Sequence, residues 1–393
     1  MKTAGELALP TRILLGPGPS NVHPRVLKAM ATPLVGHLDP EFFRLMEETK
    51  ELLRFVFQTK NALTFPISGT GSSGMEACLV NLLEPGDEAV VGVNGVFGTR
   101  MVDIVERCGA IPVVMETSWG NIFTPSEVRD ALKRCRRPKL VAVVHAETST
   151  GAWQPLEEIS HIVHQAGALL VVDAVTSLGG CPLQIDAWRI DACYSGTQKC
   201  LSCPPGLSPV TFNQAAIEGI RHRKSKVQSW YLDLTMIEKY WGEERGYHHT
   251  APISMNYALR EALRLIQEEG LAARYSRHQQ NHEALAAGLA AMGMSLAAQT
   301  GHRLWTLNSV NIPAGVDDAR VRRQLLEEYS IEIGAGLGPL RGKVWRIGLM
   351  GESSTRSNVL LVLSALEGIL RKQGYSCTSG AGVSGAQAVY AMI

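Results

Sequence analysis

Between residues 88 and 172 the chain alternates short apolar runs with amphipathic stretches, and few folds accept that rhythm. Segments 88–94 (EAVVGVN), 111–115 (IPVVM), 140–145 (LVAVVH) and 168–172 (ALLVV) are short and unbroken. Such runs read as strands covered on both faces, as in a parallel sheet. The intervening segments 100–108, 125–134 and 156–165 carry helical spacing. A buried strand followed by a covering helix, repeated, predicts an α/β domain with a mostly parallel sheet.

The flanks extend this frame. Residues 12–21 (RILLGPGPSN) predict an extended arm, and 41–57 predicts a helix with Phe42, Leu45, Met46, Leu52, Leu53 and Val56 on one face. Residues 63–67 predict a strand in spite of Pro66, followed by a helix over 75–83 that EPGD stops. From 254 a helix carries Leu259, Ala262, Leu263 and Ile266 until Gly270, and a second helix carries Leu285, Leu289 and Met292. Strand 309–312, helix 319–329, strand 344–349 and helix 357–370 complete a smaller domain. Residues 374–393 are rich in small residues without periodicity and predict a flexible tail. The expected division is an arm (1–21), a large domain (22–253), a small C-terminal domain (254–373) and the tail.

Lys+Arg 38 against Asp+Glu 37 leaves no basic excess to recruit nucleic acid or an anionic membrane. No apolar run approaches the ~20 residues that span a bilayer. The first residues lack a secretory apolar core and the last three are not a peroxisomal address, so a cytoplasmic location is expected. The eight cysteines are then expected as reduced thiols. Cys200 and Cys203 form a CxxC pair with no second pair to complete a zinc site, and read as incidental loop cysteines. Adjacent His248 and His249 do not form a metal-binding pattern, so no metal is expected.

Chemistry gathers at predicted strand ends, where open α/β sheets bind ligands. Asp173 ends the run 168–172, and Lys199 follows in a loop closed by PPG at 204–206. Pyridoxal phosphate (PLP) needs such a pair: a lysine to form a Schiff base with its aldehyde, and an acid to keep the pyridine nitrogen protonated. A strand-end acid and an unrelated exposed lysine remain the alternative. Gly69, Gly71 and Gly74 make a literal GxGxxG, but the proline-broken strand before it weakens a dinucleotide reading. A Gly/Ser/Thr loop at a helix N-terminus offers free amides to any phosphate; a ligand-free turn is the alternative. Phe97 falls in a predicted loop where it could stack on a flat ring. Arg346, between Trp345 and Ile347, needs a partner: a substrate carboxylate or a structural ion pair.

Taken together, the strings LLGPGPSN, VFQTKN, ISGTGSSGMEA, LEPGDE, NGVFGTR, HAETSTG, VVDAVTSLGG, YSGTQK, PPG, YHHTAP, GLGP and VWRIGLMG resemble the class V, fold-type I PLP aminotransferases of the alanine–glyoxylate/serine–pyruvate branch, over residues 15–371. The resemblance implies a large, mostly parallel sheet of seven-stranded type, a smaller α+β C-terminal domain, and a homodimer. It implies that Lys199 carries the cofactor and moves the proton, with Asp173 on the pyridine nitrogen. Phe97 would stack on the ring, with Val175 beside it and Thr148 near its phenolic oxygen. Ser68, Gly69, Thr70 and Gln198 would cradle the phosphate, joined by Tyr247 and Thr250 from the partner subunit. Arg346 would hold the substrate carboxylate, and Gly36 of the neighbouring chain and the Ser20-Asn21 turn would shape the pocket.

The implied reaction passes an amino group from L-alanine or L-serine to glyoxylate, in ping-pong fashion through pyridoxamine phosphate. Serine–glyoxylate, ureidoglycine–glyoxylate, 3-hydroxykynurenine and 2-aminoethylphosphonate transamination are the related alternatives. A non-catalytic PLP sensor is a further one, although no DNA-binding segment precedes the arm. Two positions depart from the family. Phe97 stands where vertebrate relatives carry tryptophan, and Cys200 follows Lys199 in place of Ala or Val, which adds an oxidation liability.

Overall fold

The structure, a computed structural model, describes residues 5–392. The alternation builds a seven-stranded sheet in the order Leu63–Ser68, Leu207–Phe212, Ala192–Tyr194, Leu169–Asp173, Pro138–Val144, Glu88–Val93, Ile111–Glu116. Leu207–Phe212 runs antiparallel to both its neighbours, and the other pairings are parallel. Leu63–Ser68 lies at the edge, where Pro66 costs least because an outer strand need not donate on both sides.

The central strands explain the unbroken apolar runs. In Pro138–Val144, Leu140, Ala142 and Val144 enter one core with Phe42, Met75 and Met101. Val141 and Val143 enter the other with Leu53, Ile159 and Ile162. Successive side chains point to opposite faces, so a strand buried between two helical layers must be apolar throughout.

The helix Ile253–Glu269, expected to open the small domain, belongs by packing to the large sheet. Its Ala258, Leu259, Ala262, Leu263 and Ile266 share a core with Leu170 and Val172. Gly270, at φ 79°, ends it, and Leu271–Ala291 leads to a third core through Leu285 and Leu289. The break in packing therefore falls near Gly270. The third core surrounds an antiparallel sheet in the order Leu307–Asn311, Val344–Gly348, Gly334–Ala335, with Trp345 fully buried. The arm joins it: Ile13–Leu14 pairs parallel with Ile331–Glu332, and Leu15 is buried there.

The expected flexible tail is corrected in part. Ala381–Tyr390 is a helix, with Ala386 buried and the Tyr390 hydroxyl donating to Asn281 Oδ1 at 2.7 Å. Its glycines permit close approach, since a Cβ on Gly385 would lie 2.9 Å from the carbonyl oxygen of Ala287. A face made of Gly and Ala carries no hydrophobic periodicity, so the sequence pattern hides it. Among the described residues no helix is long and apolar enough to cross a membrane.

Candidate active site

Asp173 closes the strand Leu169–Asp173 and is 1% exposed. Its Oδ1 accepts the Val175 N–H at 2.8 Å and its Oδ2 accepts the Tyr194 hydroxyl at 2.9 Å. Tyr194 is its register partner on the neighbouring strand, a relation that sequence spacing does not display. Burial raises the Asp173 carboxyl to about 6, against the pull of those two donors and of the Lys199 and Arg100 charges.

Lys199 sits 8% exposed in the loop beyond Ala192–Tyr194. That loop is gripped on both sides. The Ser20 hydroxyl donates to Lys199 O at 2.8 Å, the Ser20 N–H to Gln198 O at 2.9 Å, and Arg274 Nη2 to Cys200 O at 2.6 Å. The Lys199 ammonium donates to the carbonyl of Pro17. Gly18, at φ +108°, makes room, because a Cβ there would lie 2.5 Å from the amine. Burial, then the nearby Arg346 charge, lowers the amine to about 8.

Asp173 and Lys199 line one cleft of about 190 Å³ together with Thr70, Phe97, Val175 and Gln198. The glycine-rich helix begins at Gly71, four residues earlier than its apolar spacing predicts, and its N-cap Thr70 makes no side-chain cap bond. First-turn amides thus face the cleft without a side-chain acceptor, which suits an anion. Gly69 is at φ +153°, which disfavours any side chain there. Gln198 Oε1 is buried without a hydrogen-bond partner at the same place.

Phe97, expected in a loop, lies in the first turn of the helix Val96–Arg107, with the Arg100 guanidinium 4.9 Å from its ring centre. The loop residues NGV are short enough for the helix to start at once, and Gly95 serves as its N-cap. Thr148 is buried, its hydroxyl 2.5 Å from that of Thr176. Arg346 is 7% exposed, donates through Nε to Ala335 O at 2.7 Å and through Nη1 to Thr148 O at 3.3 Å, and has no carboxylate ion-pair partner among the described residues. Burial lowers its guanidinium to about 10, and Glu147 opposes that.

Other expected site residues are not among those that line the cleft. Ser68 Oγ is bonded to His249 Nε2 at 2.7 Å. Tyr247, 64% exposed, and Thr250 and Gly36, both exposed, lie on the outer surface. The side chains of Ser20 and Asn21 are fasteners rather than pocket walls: Asn21 Oδ1 accepts from Leu14 N at 2.9 Å and Ser353 Oγ at 3.1 Å. These contacts engage the Ser20 hydroxyl and the Asn21 amide oxygen within the protein. The oxidation liability at Cys200 is also corrected, since the thiol is fully buried and burial pushes it up to about 12. Tyr194, Glu147 and Arg100 escaped the sequence reading, although all three fall inside its quoted strings.

The chain matches the family model described as aminotransferase class-V over residues 13–344. It is 44% identical to an alanine–glyoxylate aminotransferase of Callithrix jacchus, covering 93% of this chain and 89% of the relative. Crystal structures of an alanine–glyoxylate aminotransferase from Nostoc sp. (52% identity, TM-score 0.93, 94% and 98% of the two chains) and of the ureidoglycine–glyoxylate aminotransferase of Bacillus subtilis (44%, 0.96, 98% and 100%) share the fold.

This family depends on PLP, and the cleft suits it. The amides that open the helix Gly71–Leu82 have no capping side chain, and Thr70 and Gly71 line the cleft, which suits a phosphate. A buried acid matches a pyridine nitrogen and a buried amine matches an aldehyde. The chain belongs to the class-V family of PLP-dependent aminotransferases.

Proposed function

We propose that the enzyme transfers the amino group of L-alanine, with L-serine as the next donor, to glyoxylate in two alternating half-reactions. The observation that carries this reading is Arg346: a buried cation near Lys199, with two backbone acceptors and no carboxylate. A bidentate grip on a small amino or oxo acid would complete it. When bound, PLP supplies the aldehyde that takes the amino group and a ring that accepts the electrons released at the substrate Cα.

The chain's own groups do the rest. Asp173 would pair with the pyridine nitrogen and keep it protonated, and the exclusion of water would strengthen that ion pair once formed. Lys199, with its amine lowered to about 8, is neutral often enough near physiological pH to take the Cα proton as a general base. The carbonyl of Pro17 parks that amine within the cleft. Gln198, Gly69, Thr70 and the amides of the helix Gly71–Leu82 would hold the phosphate, adjoined by Ser68, which is bonded to His249. Phe97 and Val175, which line the same cleft, would hold the ring, and Thr148 would bond its phenolic oxygen. A homodimer is part of the proposal, supported by large apolar groups left open near Gly36 and Thr250: Leu34 at 66%, Trp230 at 61% and Tyr247 at 64% exposure.

The relatives named for ureidoglycine are as similar as those named for alanine, so (S)-ureidoglycine is the second reading. Adding alanine, serine, (S)-ureidoglycine and 2-aminoethylphosphonate separately to the PLP-loaded enzyme, then glyoxylate, decides between them. Alanine should bleach the visible cofactor absorbance and glyoxylate restore it, with glycine as product. Faster bleaching by ureidoglycine would replace the donor. Lys199→Ala should lower turnover by roughly 10⁴-fold or more, because both attachment and proton transfer are lost.

A further inference from the structure

Glu147 is fully buried, one residue from Thr148, and the reading above gives it no task. Its Oε1 accepts the Ser149 N–H at 3.0 Å and the Ser149 hydroxyl at 2.5 Å, and its Oε2 accepts the Phe97 N–H at 3.2 Å. The same Ser149 hydroxyl oxygen accepts the Val96 N–H at 3.0 Å. Glu147 and Ser149 together therefore occupy two of the amides that open the helix Val96–Arg107. Gly95 makes way for them, because a Cβ there would overlap the Glu147 carboxyl group and lie 2.5 Å from Ser149 Oγ.

On its other side, Glu147 precedes the carbonyl that Arg346 Nη1 reaches, that of Thr148. The carboxyl also counters the cost of burying the Arg346 charge, beside the Ala335 and Thr148 carbonyls. Burial lifts Glu147 itself to about 7, against the pull of the Ser149 and Phe97 donors. A buried carboxyl is an expensive way to fill space, and a neutral side chain would serve packing better.

We propose that Glu147 is a positioning residue of the transamination site, whose carboxylate fastens the turn 147–149 to the first turn of the helix Val96–Arg107 and so fixes Phe97, Thr148 and Arg346 relative to one another. The proposal rests on the reading that Phe97 covers the cofactor ring and Arg346 takes the substrate carboxylate. It makes Glu147 act through the groups that touch cofactor and substrate, without touching either. Three site contributions then share one internal support, and disturbing it should move cofactor affinity and oxo-acid binding together.

The test titrates PLP into the apo forms of wild type, Glu147→Gln, Ser149→Ala, Phe97→Leu and the Glu147→Gln/Phe97→Leu double variant. It records the induced circular dichroism of the bound cofactor, then KM and kcat for glyoxylate. Glu147→Gln keeps the shape but turns one acceptor into a donor facing donors. It should weaken PLP about tenfold, the cost of disrupting a charge-assisted bond. It should also change the induced dichroism in the same sense as Phe97→Leu and raise KM for glyoxylate more than it lowers kcat. Ser149→Ala should do the same about threefold, and it carries the test alone should Glu147→Gln fail to fold. The double variant should bind PLP within about twofold of Phe97→Leu, because coupled residues are not additive. Unchanged PLP affinity, dichroism and KM in the variants, or losses that multiply with Phe97→Leu, would overturn the role. A lower melting temperature alone would also overturn it, as the mark of a helix cap. Wild-type protein that takes up no PLP on Lys199 would instead reject the aminotransferase reading itself.

Discussion

Asp173 closes one strand and Asp191 directly precedes its neighbour, at opposite edges of one sheet, and both are nearly inaccessible to water at 1% and 3% exposure. At the amino edge, Asp191 is engaged by three groups of the fold. Its Oδ2 accepts the Leu170 N–H at 2.6 Å and lies 2.8 Å from His164 Nε2, while Oδ1 accepts Asn213 Nδ2 at 2.7 Å. At the carboxyl edge, Asp173 has one donor per oxygen and a cleft beside it. A carboxylate oxygen can accept about two bonds, so Asp173 has room for two more where Asp191 has room for one. Two arginines repeat the contrast. Arg274 is paired with Glu269 at 2.6 Å and caps two carbonyls, whereas Arg346 meets carbonyls only. Burial alone marks neither acid nor arginine as functional; unspent hydrogen-bonding capacity beside a cleft does.

The sharpest way to break this contrast is to remove both charges in turn. Asp173→Asn should cut kcat about 10³-fold, since the cofactor nitrogen loses its ionic partner, and leave the melting temperature of the apo protein unchanged or raised. Asp191→Asn should do the reverse. It should cost about 2 kcal/mol of stability, the value of a buried charged hydrogen-bond set, with kcat/KM of the folded enzyme unaltered. Denaturant titration and steady-state kinetics on the two variants check both halves. Comparable activity losses would mean that the two edges do not divide the work.

The arginine pair should give a smaller effect of the same form. Arg346→Ala should lower kcat/KM for glyoxylate a few hundredfold, mostly through KM, because a charged grip on a carboxylate is worth about 2–4 kcal/mol. Its stability should hold, as no ion pair is broken. Arg274→Ala strands the buried side of Glu269, which still keeps Arg277, and should cost about 3 kcal/mol with KM little changed. Arg346→Lys should recover only part of the KM, since a point charge lacks the guanidinium fork.

Which of these groups could be seen in the sequence follows from geometry. Asp173 and Arg346 were legible because one ends an apolar run and the other interrupts one, where a charge demands a partner, and Lys199 because it follows that acid in a loop closed by PPG. The parallel sheet was legible for the same reason, from runs that must be buried on both faces. Tyr194 was not, because its bond to Asp173 depends on strand register, and register is set by long-range packing. Glu147 looked like one polar residue in a polar loop, and only the fold brings it under Phe97. Ser20 and Asn21 read as pocket residues, but the arm that carries them is pinned to Ile331–Glu332 and turns their side chains to the Lys199 loop and Ser353. The helix Ala381–Tyr390 was hidden because its packing surface is glycine and alanine.

The contrast at Asp173 also has a thermodynamic signature, which separates the two edges by pH rather than by activity. Its carboxyl stands at about 6 in the folded protein against an ordinary 3.8. A raised folded value means that the folded state holds the proton more tightly than the unfolded one. Its contribution to stability is therefore complete below pH 3.8 and is lost as pH rises through about 6. At about 1.4 kcal/mol per pH unit, the apo protein should lose roughly 3 kcal/mol from this one group across that window. Asp173→Asn cannot titrate, so the stability difference between it and wild type should be small near pH 4 and grow in favour of the variant by pH 7. Binding PLP should close that gap, because a protonated pyridine nitrogen stabilises the ionised acid and pulls its titration back down. Denaturant midpoints of both proteins across pH, with and without PLP, measure the effect. A gap that is flat in pH would mean that Asp173 is as fully partnered by the protein as Asp191, and the distinction between the two edges would fail.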